Sequence, residues 1–331
     1  MNLKKTKKIL IIRLSSLGDI LLTTPLIRTL RFNYPTLQID FLLKTKYTDT
    51  LINNPYISNL RLYNEDKKNK KELIEVLKRV NYDIVIDLQH NWKSSGVTSK
   101  LNCPKLQFDK MNFKKFLLVN FKINKLKDSP QIPVRYNNTL HDFSLDNKGL
   151  DLFTTKTPSH FLTGDTQYIG FAPGAGHFTK IYPPNYFIEL GKMLSKEGFK
   201  IIIFGGKSDN DICQNIASQI DGSINLCNDN NLLQTAADMK KCTALVCNDS
   251  GLMHAAGAMG VPVLTVFGSS VKEFGFTPYK NKNLILENNS LSCRPCSHIG
   301  RERCPKKHFK CMLDISPGIT FNALNNLLNT L

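Results

Sequence analysis

The stretch from Cys247 to Phe267 constrains the fold more than any other part of the sequence. Thr243–Cys247 is a short apolar run, Leu252–Met259 is rich in alanine, and Val261–Phe267 is a second apolar run. Gly260 between the last two is the residue type that commonly ends a helix. Two strands joined by a helix run parallel. The stretch therefore predicts a strand–helix–strand unit of a parallel α/β sheet.

The start of this predicted helix is a candidate anion site. Asn248, Asp249 and Ser250 carry oxygens that can cap a helix, and Gly251 has no side chain to keep a ligand from the backbone. Free N–H groups at a helix amino end attract phosphate. The ring of His254 could donate to the same anion. The alternative is an ordinary crossover with a capped helix and a satisfied core histidine.

The length and composition are those of a two-domain globular protein. The chain has 331 residues, of which 41% are hydrophobic and 21% charged. No apolar run approaches the roughly 18 residues of a membrane span. The basic start is followed only by the short run Ile9–Ile12 and then Arg13, so no export signal is expected. The sequence predicts a cytoplasmic chain with reduced thiols.

The net charge favours anionic partners. Lys and Arg number 44 and Asp and Glu 27, which gives +17. The basic residues are dispersed, and no zinc finger or RNA-binding signature is present, so no nucleic acid is expected as a partner. A basic nucleic-acid-binding protein on an α/β scaffold stays open as an alternative, which steeply salt-dependent binding would reveal.

Strand and helix patterns alternate in two separate halves, which predicts two doubly wound α/β domains. The first half begins with the strand Lys8–Leu14, and the second restarts at Tyr168 after a polar linker, Thr154–Thr166. Glycine-bearing loops follow two strands of the second half, at Pro173–Lys180 and Gly205–Asp209. Neither loop has the spacing of a dinucleotide-binding or P-loop motif.

Lys105–Lys127 combines seven lysines with aromatic and aliphatic residues. Such a segment can lie on a membrane surface. A buried helix with a solvated face is the alternative interpretation.

The ordered motifs resemble glycosyltransferase family 9, the heptosyltransferases that act on the lipopolysaccharide inner core. The resemblance is carried by Ile11–Asp19 (IIRLSSLGD), Asp87–Gln89, Pro173–Gly176 with Lys180, Phe204–Gly206 and Asn248–His254 (NDSGLMH).

This resemblance implies a GT-B fold: two Rossmann-like domains facing a cleft, with a final helix that crosses back to the first. We expect an acceptor-binding domain over residues 1–162, a nucleotide-sugar domain over 163–315, and the returning helix over 316–331. The resemblance also implies transfer of heptose from ADP-heptose to a Kdo or heptose hydroxyl of the lipid A core, with inversion and without a cofactor or metal. The acceptor is membrane-borne, so peripheral contact with the inner face of the cytoplasmic membrane is expected.

The resemblance further implies roles for individual residues. Asp19 matches the general base, which cleft closure would bring to the donor. The donor-binding positions are Ala175, Gly176, Lys180, Asp209, Asp249, Ser250, Gly251 and His254. The acceptor side comprises Arg13, Ser15, Ser16, Gln89 and Lys93. Lys180 and a helix amino end can stabilise the leaving diphosphate without a metal.

Several alternatives remain at this point. Asp19 is also a good helix-capping residue. The enzyme could use a different nucleotide sugar, or could be a nucleotide-sugar epimerase. Four cysteines near the carboxyl end are a candidate structural zinc site, with a loop held by packing alone as the alternative. These cysteines are Cys293, Cys296, Cys304 and Cys311.

Overall fold

The computed structural model describes residues 3–140, 144–162, 166–228 and 231–331. It forms two compact units. Unit 1 is Met1–Lys110 with Pro130–Phe153, and unit 2 is Met111–Ser129 with Thr154–Leu331. We expected the domain boundary between residues 162 and 163. Residues 163–165 lie outside the described residues.

Unit 1 is built on a parallel sheet of five strands in the order β3-β2-β1-β4-β5. The strands are β1 Lys8–Ile12, β2 Gln38–Lys44, β3 Asn59–Tyr63, β4 Ile84–Asp87 and β5 Lys105–Gln107. The helices are α1 Leu17–Leu21, α2 Thr24–Asn33, α3 Lys67–Val80, α4 Trp92–Thr98 and α6 Ile132–Asn137. Pro25 stands in the first turn of α2, so the proline begins a new helix and does not kink one.

Unit 2 is built on a parallel sheet of six strands in the order β11-β10-β9-β6-β7-β8. The strands are β6 Tyr168–Ala172, β7 Lys200–Ile203, β8 Ile224–Asn225, β9 Cys242–Asn248, β10 Val263–Phe267 and β11 Asn283–Glu287. The helices are α5 Asn112–Phe121, α7 Pro184–Lys196, α8 Asn210–Ala217, α9 Leu232–Met239, α10 Gly251–Ala258, α11 Lys310–Leu313 and α12 Pro317–Leu328. The prediction of two doubly wound α/β domains is confirmed.

Each sheet has one point where the chain reverses its direction of winding. In unit 1 it lies between β1 and β4, where Ile12 pairs with Asp87. In unit 2 it lies between β6 and β9, where Ala172 pairs with Cys247. Ligands of open α/β sheets bind at such switch points, beyond the carboxyl ends of the strands. The two switch points therefore locate one candidate site in each unit.

The segment Met111–Ser129 leaves unit 1 after β5 and belongs to unit 2. Leu118 and Leu126 are buried there against Val271 and Phe274. The sequence pattern showed alternating lysine and apolar residues but did not indicate which half they would join.

The final helix has its main packing partners in unit 2. α12 packs against α7 and β11 of unit 2. Its apolar side chains Ala323, Leu324 and Leu327 are buried in the core of that unit. Burial of this apolar stripe against the sheet gives the helix its place.

The described part of the predicted linker is also attached to unit 2. Thr154 donates to the carbonyl of Leu233 at 2.9 Å, and the Ser159 amide donates to Asp238 at 2.6 Å. No helix in the described ranges combines the length and apolar character that crossing a membrane requires.

Candidate functional site

Asp19 lies in the first turn of α1, at the switch point of unit 1. Its Oδ1 is 2.6 Å from a guanidinium nitrogen of Arg13. Its Oδ2 accepts hydrogen bonds from the Ser16 amide at 3.0 Å and the Ser16 hydroxyl at 2.7 Å. The capping interaction predicted as the alternative is therefore present. A second lone pair on Oδ1 leaves room for a further donor.

Arg13 sets the electrostatics around Asp19. It donates to the carbonyl of Leu88 at 2.7 Å, and its guanidinium lies 5.8 Å from the ring centre of buried Tyr136. Burial alone would raise the pKa of Asp19, but Arg13 and the bonds from Ser16 outweigh it and hold the pKa below its usual value. Burial lowers the pKa of Arg13, and Asp19 more than compensates. Asp19 is therefore ionised at neutral pH.

Gln89 supports the loop after β1. Its side-chain oxygen accepts from the amides of Leu14 at 3.0 Å and Ser15 at 3.2 Å. Asp87 in turn accepts from the Gln89 amide at 3.0 Å and the Ser94 hydroxyl at 2.8 Å. These bonds give Asp87 a structural role, and they give Gln89 a role in shaping the loop that carries Ser15, Ser16 and Asp19.

Lys93, predicted on the acceptor side, forms an ion pair with Glu65 at 2.6 Å. Lys44 pairs with the same carboxylate. Hydrogen bonds from Lys44 and Lys93 lower the pKa of Glu65 to about 2. Lys93 is therefore an ammonium with an exposed counter-ion.

Lys110 was not singled out from the sequence. It follows β5 by three residues at the carboxyl edge of the same sheet and is half-buried. The pKa of Lys110 is lowered, mainly by burial and also by the nearby positive charge of Arg13. The negative charges of Asp87 and Asp19 oppose this shift without cancelling it. Phe108, on the same loop, packs edge-on against Tyr136 with ring centres 4.8 Å apart. A lysine just past the end of a strand could have pointed to this position. The strand β5 has only three residues, however, and such a short strand is hard to recognise in the sequence.

In unit 2, Asn248 ties together the loops of the switch point. This fully buried amide accepts from the Tyr182 amide at 2.9 Å and donates to the Pro173 carbonyl at 2.7 Å. The sequence motif suggested a helix cap at this position. The structure gives Asn248 the task of fixing the two ends of the loop that carries Lys180.

Lys180 lies at the end of a short 3₁₀ helix, Phe178–Lys180. Its ammonium is 2.6 Å from Oδ2 of Asp249, and that oxygen also accepts from the Ser270 hydroxyl at 2.6 Å. Both side chains of the ion pair are largely buried, with 15% and 10% exposed. The predicted donor residues Lys180 and Asp249 are thus brought together.

The start of α10 lies beside this pair. Ser250 is the N-cap residue of α10, but its side chain makes no capping hydrogen bond. The Ser250 hydroxyl is buried and has no hydrogen-bond partner among the described residues. The first N–H groups, from Gly251 onward, are therefore available to an anion. His254 is in the second turn and is only 4% exposed, which agrees with the core-histidine alternative as well as with a buried donor.

The loops after β6 and β7 approach each other closely. A side chain at Gly174 would collide with the carboxylate of Asp209, so glycine is required for this approach. Asp209 also accepts from the Gly206 amide at 3.0 Å. Beyond Gly174, Ala175 is half-buried and Gly176 faces open space. The predicted donor positions Ala175, Gly176 and Asp209 therefore share one edge of the sheet.

Arg294 is bonded to the segment that follows β10. It is 8% exposed and donates to the carbonyls of Gly268 at 2.6 Å, Phe267 at 3.2 Å and Ser270 at 2.9 Å. It also pairs with Glu287 at 3.0 Å. Because Ser270 bonds Asp249, Arg294 supports the Lys180–Asp249 pair. The sequence indicated only a basic loop.

The four carboxyl-end cysteines line one small pocket together with His308. Cys311 is buried in the core of unit 2, and burial raises the pKa of its thiol to about 11. Burial also raises the pKa of Cys296. Within the described ranges, no three His, Cys, Asp or Glu side chains are arranged to hold a metal ion. The four thiols thus share one pocket, and the structural zinc site stays a prediction beside the loop held by packing alone.

Comparisons with known proteins show relatives that match nearly the whole length of the chain. Lipooligosaccharide heptosyltransferase 2 of Campylobacter jejuni subsp. jejuni serotype O:2 is 26% identical over 323 residues, covering 94% of this chain and 95% of the relative. A glycosyltransferase family 9 structure from Veillonella parvula DSM 2008 has a TM-score of 0.80 at 22% identity, with 98% of each chain covered. The E. coli heptosyltransferase WaaC with ADP has a TM-score of 0.73 at 19% identity, covering 97% of this chain and 99% of that one.

A sequence model described as "Glycosyltransferase family 9 (heptosyltransferase)" matches residues 71–307, which is well over half of the chain. The match includes the loop of Lys180, the start of α10 and the cysteines Cys293, Cys296 and Cys304. The family assigns a glycosyl transfer and not a sugar epimerisation. The chain belongs to glycosyltransferase family 9, the heptosyltransferases.

Proposed function

We propose that this enzyme transfers heptose from ADP-heptose to a Kdo or heptose hydroxyl of the lipopolysaccharide inner core. The observation that carries the proposal is the Lys180–Asp249 pair beside the uncapped start of α10, at the switch point of unit 2. This arrangement suits a diphosphate. A heptosyltransferase of the same fold contains ADP, which supports the choice of nucleotide.

The donor diphosphate binds where a lysine and free backbone N–H groups converge. Lys180 contributes one positive charge, and Asp249 and Ser270 hold its position. The N–H groups of α10 starting at Gly251, with the Ser250 hydroxyl, donate to the phosphate oxygens. Asp209 and the Ala175–Gly176 backbone contact the nucleoside. As ADP leaves, negative charge on the diphosphate is stabilised by groups that are already in place.

The acceptor is bound by unit 1, and Asp19 is its base. The acceptor hydroxyl donates to the spare lone pair on Oδ1 of Asp19, and this carboxylate takes the proton as the oxygen attacks the anomeric carbon. The low pKa keeps Asp19 ionised and ready at neutral pH. Arg13, Ser15, Ser16, Lys93 and Lys110 contact the anionic acceptor, and Gln89 shapes the loop.

Transfer occurs in a single displacement and therefore inverts the anomeric configuration. The oxygen–carbon bond forms on one face of the sugar while the bond to ADP breaks on the other, and the proton moves to Asp19. The proposed reaction uses no metal, because Lys180 and the N–H groups of α10 stabilise the leaving diphosphate. Asp249 is bound by Lys180 and Ser270.

The enzyme works in the cytoplasm, at the inner face of the cytoplasmic membrane. Its acceptor is carried by a lipid, and its net charge of +17 favours an anionic lipid surface.

The direct test combines the purified protein with ADP-heptose and a Kdo-lipid A acceptor, with mass spectrometry of the products. We expect a product one heptosyl residue heavier, and melting curves that shift with ADP more than with UDP or GDP. Transfer from a UDP-sugar or GDP-sugar in place of ADP-heptose would refute the donor assignment. Absence of transfer to every Kdo-containing acceptor would refute the acceptor assignment.

A further inference from the structure

Helix α5 and the turn that follows it present a row of large apolar side chains to solvent. Phe113 is 72% exposed, Phe116 51%, Phe121 61% and Ile123 47%. Phe113 and Phe116 are three residues apart and share a helix face. The rings of Phe116 and Phe121 are in edge contact, with centres 5.8 Å apart. These four side chains are called the aromatic face below.

The aromatic face is not the buried side of α5. That side is formed by Leu118 and, beyond the helix, Leu126, which pack on Val271 and Phe274 of unit 2. The helix therefore already has its packing partner, and the exposed rings are additional. Three phenylalanines left in water by a helix that is otherwise well packed indicate an interaction surface.

The segment is fixed in position at its far end. The Lys122 ammonium donates to the carbonyls of Val119 at 2.8 Å and Pro295 at 2.7 Å, and the Asn124 amide reaches Glu273 at 3.4 Å. These bonds hold α5 against unit 2. The aromatic face is thus presented by an anchored element and not by a loose loop.

The charges around the aromatic face identify the partner. Residues 110–127 contain six lysines and no acidic residue. Lys114, Lys125 and Lys127 are exposed and lie within four residues of the aromatic face in sequence. Aromatic rings bury themselves at the level of lipid headgroups, and lysines around them pair with anionic phosphates. The combination is complementary to an anionic membrane surface.

We propose that the aromatic face of α5, with its surrounding lysines, docks the enzyme on anionic phospholipid. The inference deepens the proposed function, because an enzyme with a lipid-borne acceptor gains from staying at the membrane. It also assigns the contact to unit 2, which carries the donor site, and not to the acceptor unit.

The test is co-flotation of the purified full chain with vesicles of phosphatidylethanolamine and phosphatidylglycerol, compared with phosphatidylcholine vesicles. Four proteins are compared. The wild type and a Phe32→Ser control stand beside two triple variants. The phenylalanine variant carries Phe113→Ser, Phe116→Ser and Phe121→Ser, and the lysine variant carries Lys114→Gln, Lys125→Gln and Lys127→Gln. Phe32 is 60% exposed but lies on unit 1. All substituted side chains are exposed, so the variants should fold.

We expect wild type and Phe32→Ser to float with the anionic vesicles only. The phenylalanine variant should lose at least about tenfold in vesicle affinity. Each lysine removed should cost about fivefold and reduce the dependence on salt. Wild type that stays unbound, or a phenylalanine variant that binds like wild type, would overturn the inference. A third result would also overturn it: wild type forms a dimer without lipid and the phenylalanine variant does not. The aromatic face would then be an interface between two copies of the chain.

Turnover separates this inference from the proposed function. On a deacylated, water-soluble acceptor the phenylalanine variant should match wild type, because its active-site residues are unchanged. Vesicle binding needs no turnover. A wild type that binds vesicles but transfers nothing would therefore refute the proposed function alone, whereas one that transfers but does not bind would refute the docking surface alone.

Discussion

The ammonium of Lys180 lies 2.6 Å from Oδ2 of Asp249, the oxygen that also accepts the Ser270 hydroxyl. This contact orients the lysine before any ligand arrives. The Asp249 carboxylate also offsets the positive charge of Lys180, so a diphosphate has to compete with this carboxylate for the ammonium. Asp249 thus acts on the donor through Lys180.

Lys180→Ala should weaken ADP binding by about 1.5–3 kcal/mol, the value of a charge-assisted hydrogen bond. Isothermal titration calorimetry with ADP measures it directly. Lys192→Ala is the matched control, because Lys192 is an exposed lysine on α7 of the same unit. Unchanged ADP affinity in the Lys180 variant would remove this residue from the donor site. A double-mutant cycle with Asp249→Asn adds a second check, since the effects of two residues that act together on ADP affinity are not additive.

Chelation should leave transfer intact. EDTA added to the assay is expected to leave the initial rate within experimental error, because lysine and backbone N–H groups stabilise the leaving diphosphate in the proposed mechanism. Adding back magnesium or manganese serves as the control. A rapid loss of rate that magnesium restores would contradict this mechanism.

The sheets and their switch-point loops could be predicted, because they follow from local patterns. Apolar runs such as Ile9–Ile12 are buried strands, and the loops of Lys180 and Asp249 follow from glycine and cap residues at strand ends. The family motifs then located the candidate residues in both units. What remained hidden depended on contacts between residues far apart in sequence.

Asn248 and Arg294 illustrate the limit. The sequence suggested that Asn248 caps a helix. In the structure its side-chain amide bonds Pro173 and Tyr182, which are both more than sixty residues away in sequence. Arg294 looked like part of a basic surface, yet it is buried among carbonyls. The assignment of α5 and α12 to unit 2 has the same cause, because an apolar helix face does not specify which core will bury it.

Arg294→Met should destabilise unit 2 and weaken ADP binding together. Methionine fills a similar volume but leaves the carbonyls of Gly268 and Ser270 without their donor, at about 1–3 kcal/mol for each buried group left unsatisfied. Thermal melting and ADP titration on the same preparation measure both effects. Arg303→Met on the exposed loop is the control and should change neither. An Arg294 variant with unchanged melting would show that the network does not support this edge.

Asp19→Asn should nearly abolish transfer while ADP still binds. Asparagine keeps an oxygen for Ser16, so the cap survives, but it cannot take the acceptor's proton, and loss of a general base costs roughly a hundredfold to ten-thousandfold in rate. Arg13 loses its counter-charge, so stability should fall by about 1–3 kcal/mol. Melting, ADP affinity and rate per folded molecule decide the matter. If the rate stays within a few-fold of wild type, Asp19 is only a cap.

Arg13→Gln should move the acid limb of the rate profile to higher pH. In the wild type, burial raises the pKa of Asp19, and Arg13 is the largest influence that lowers it. With the guanidinium gone, burial persists and the pKa of Asp19 rises. The base is active only when ionised, so kcat/KM in wild type should hold at the ordinary pKa of an aspartate and fall only as the pH drops through the lowered pKa of Asp19. In the variant the fall should begin at a higher pH.

The control for this profile is Lys93→Gln, which also removes a cation from unit 1 but one that is paired with Glu65. It should leave the acid limb in place, even if it raises the KM for the acceptor. Circular dichroism at each pH confirms that the protein is folded, because the Arg13–Asp19 pair also stabilises the fold above the unfolded pKa of the carboxylate and loses that effect as the pH falls through the folded pKa. An acid limb in Arg13→Gln that coincides with wild type would mean that a group other than Asp19 accepts the proton, because no change of Arg13 could leave the pKa of a carboxylate 2.6 Å away untouched.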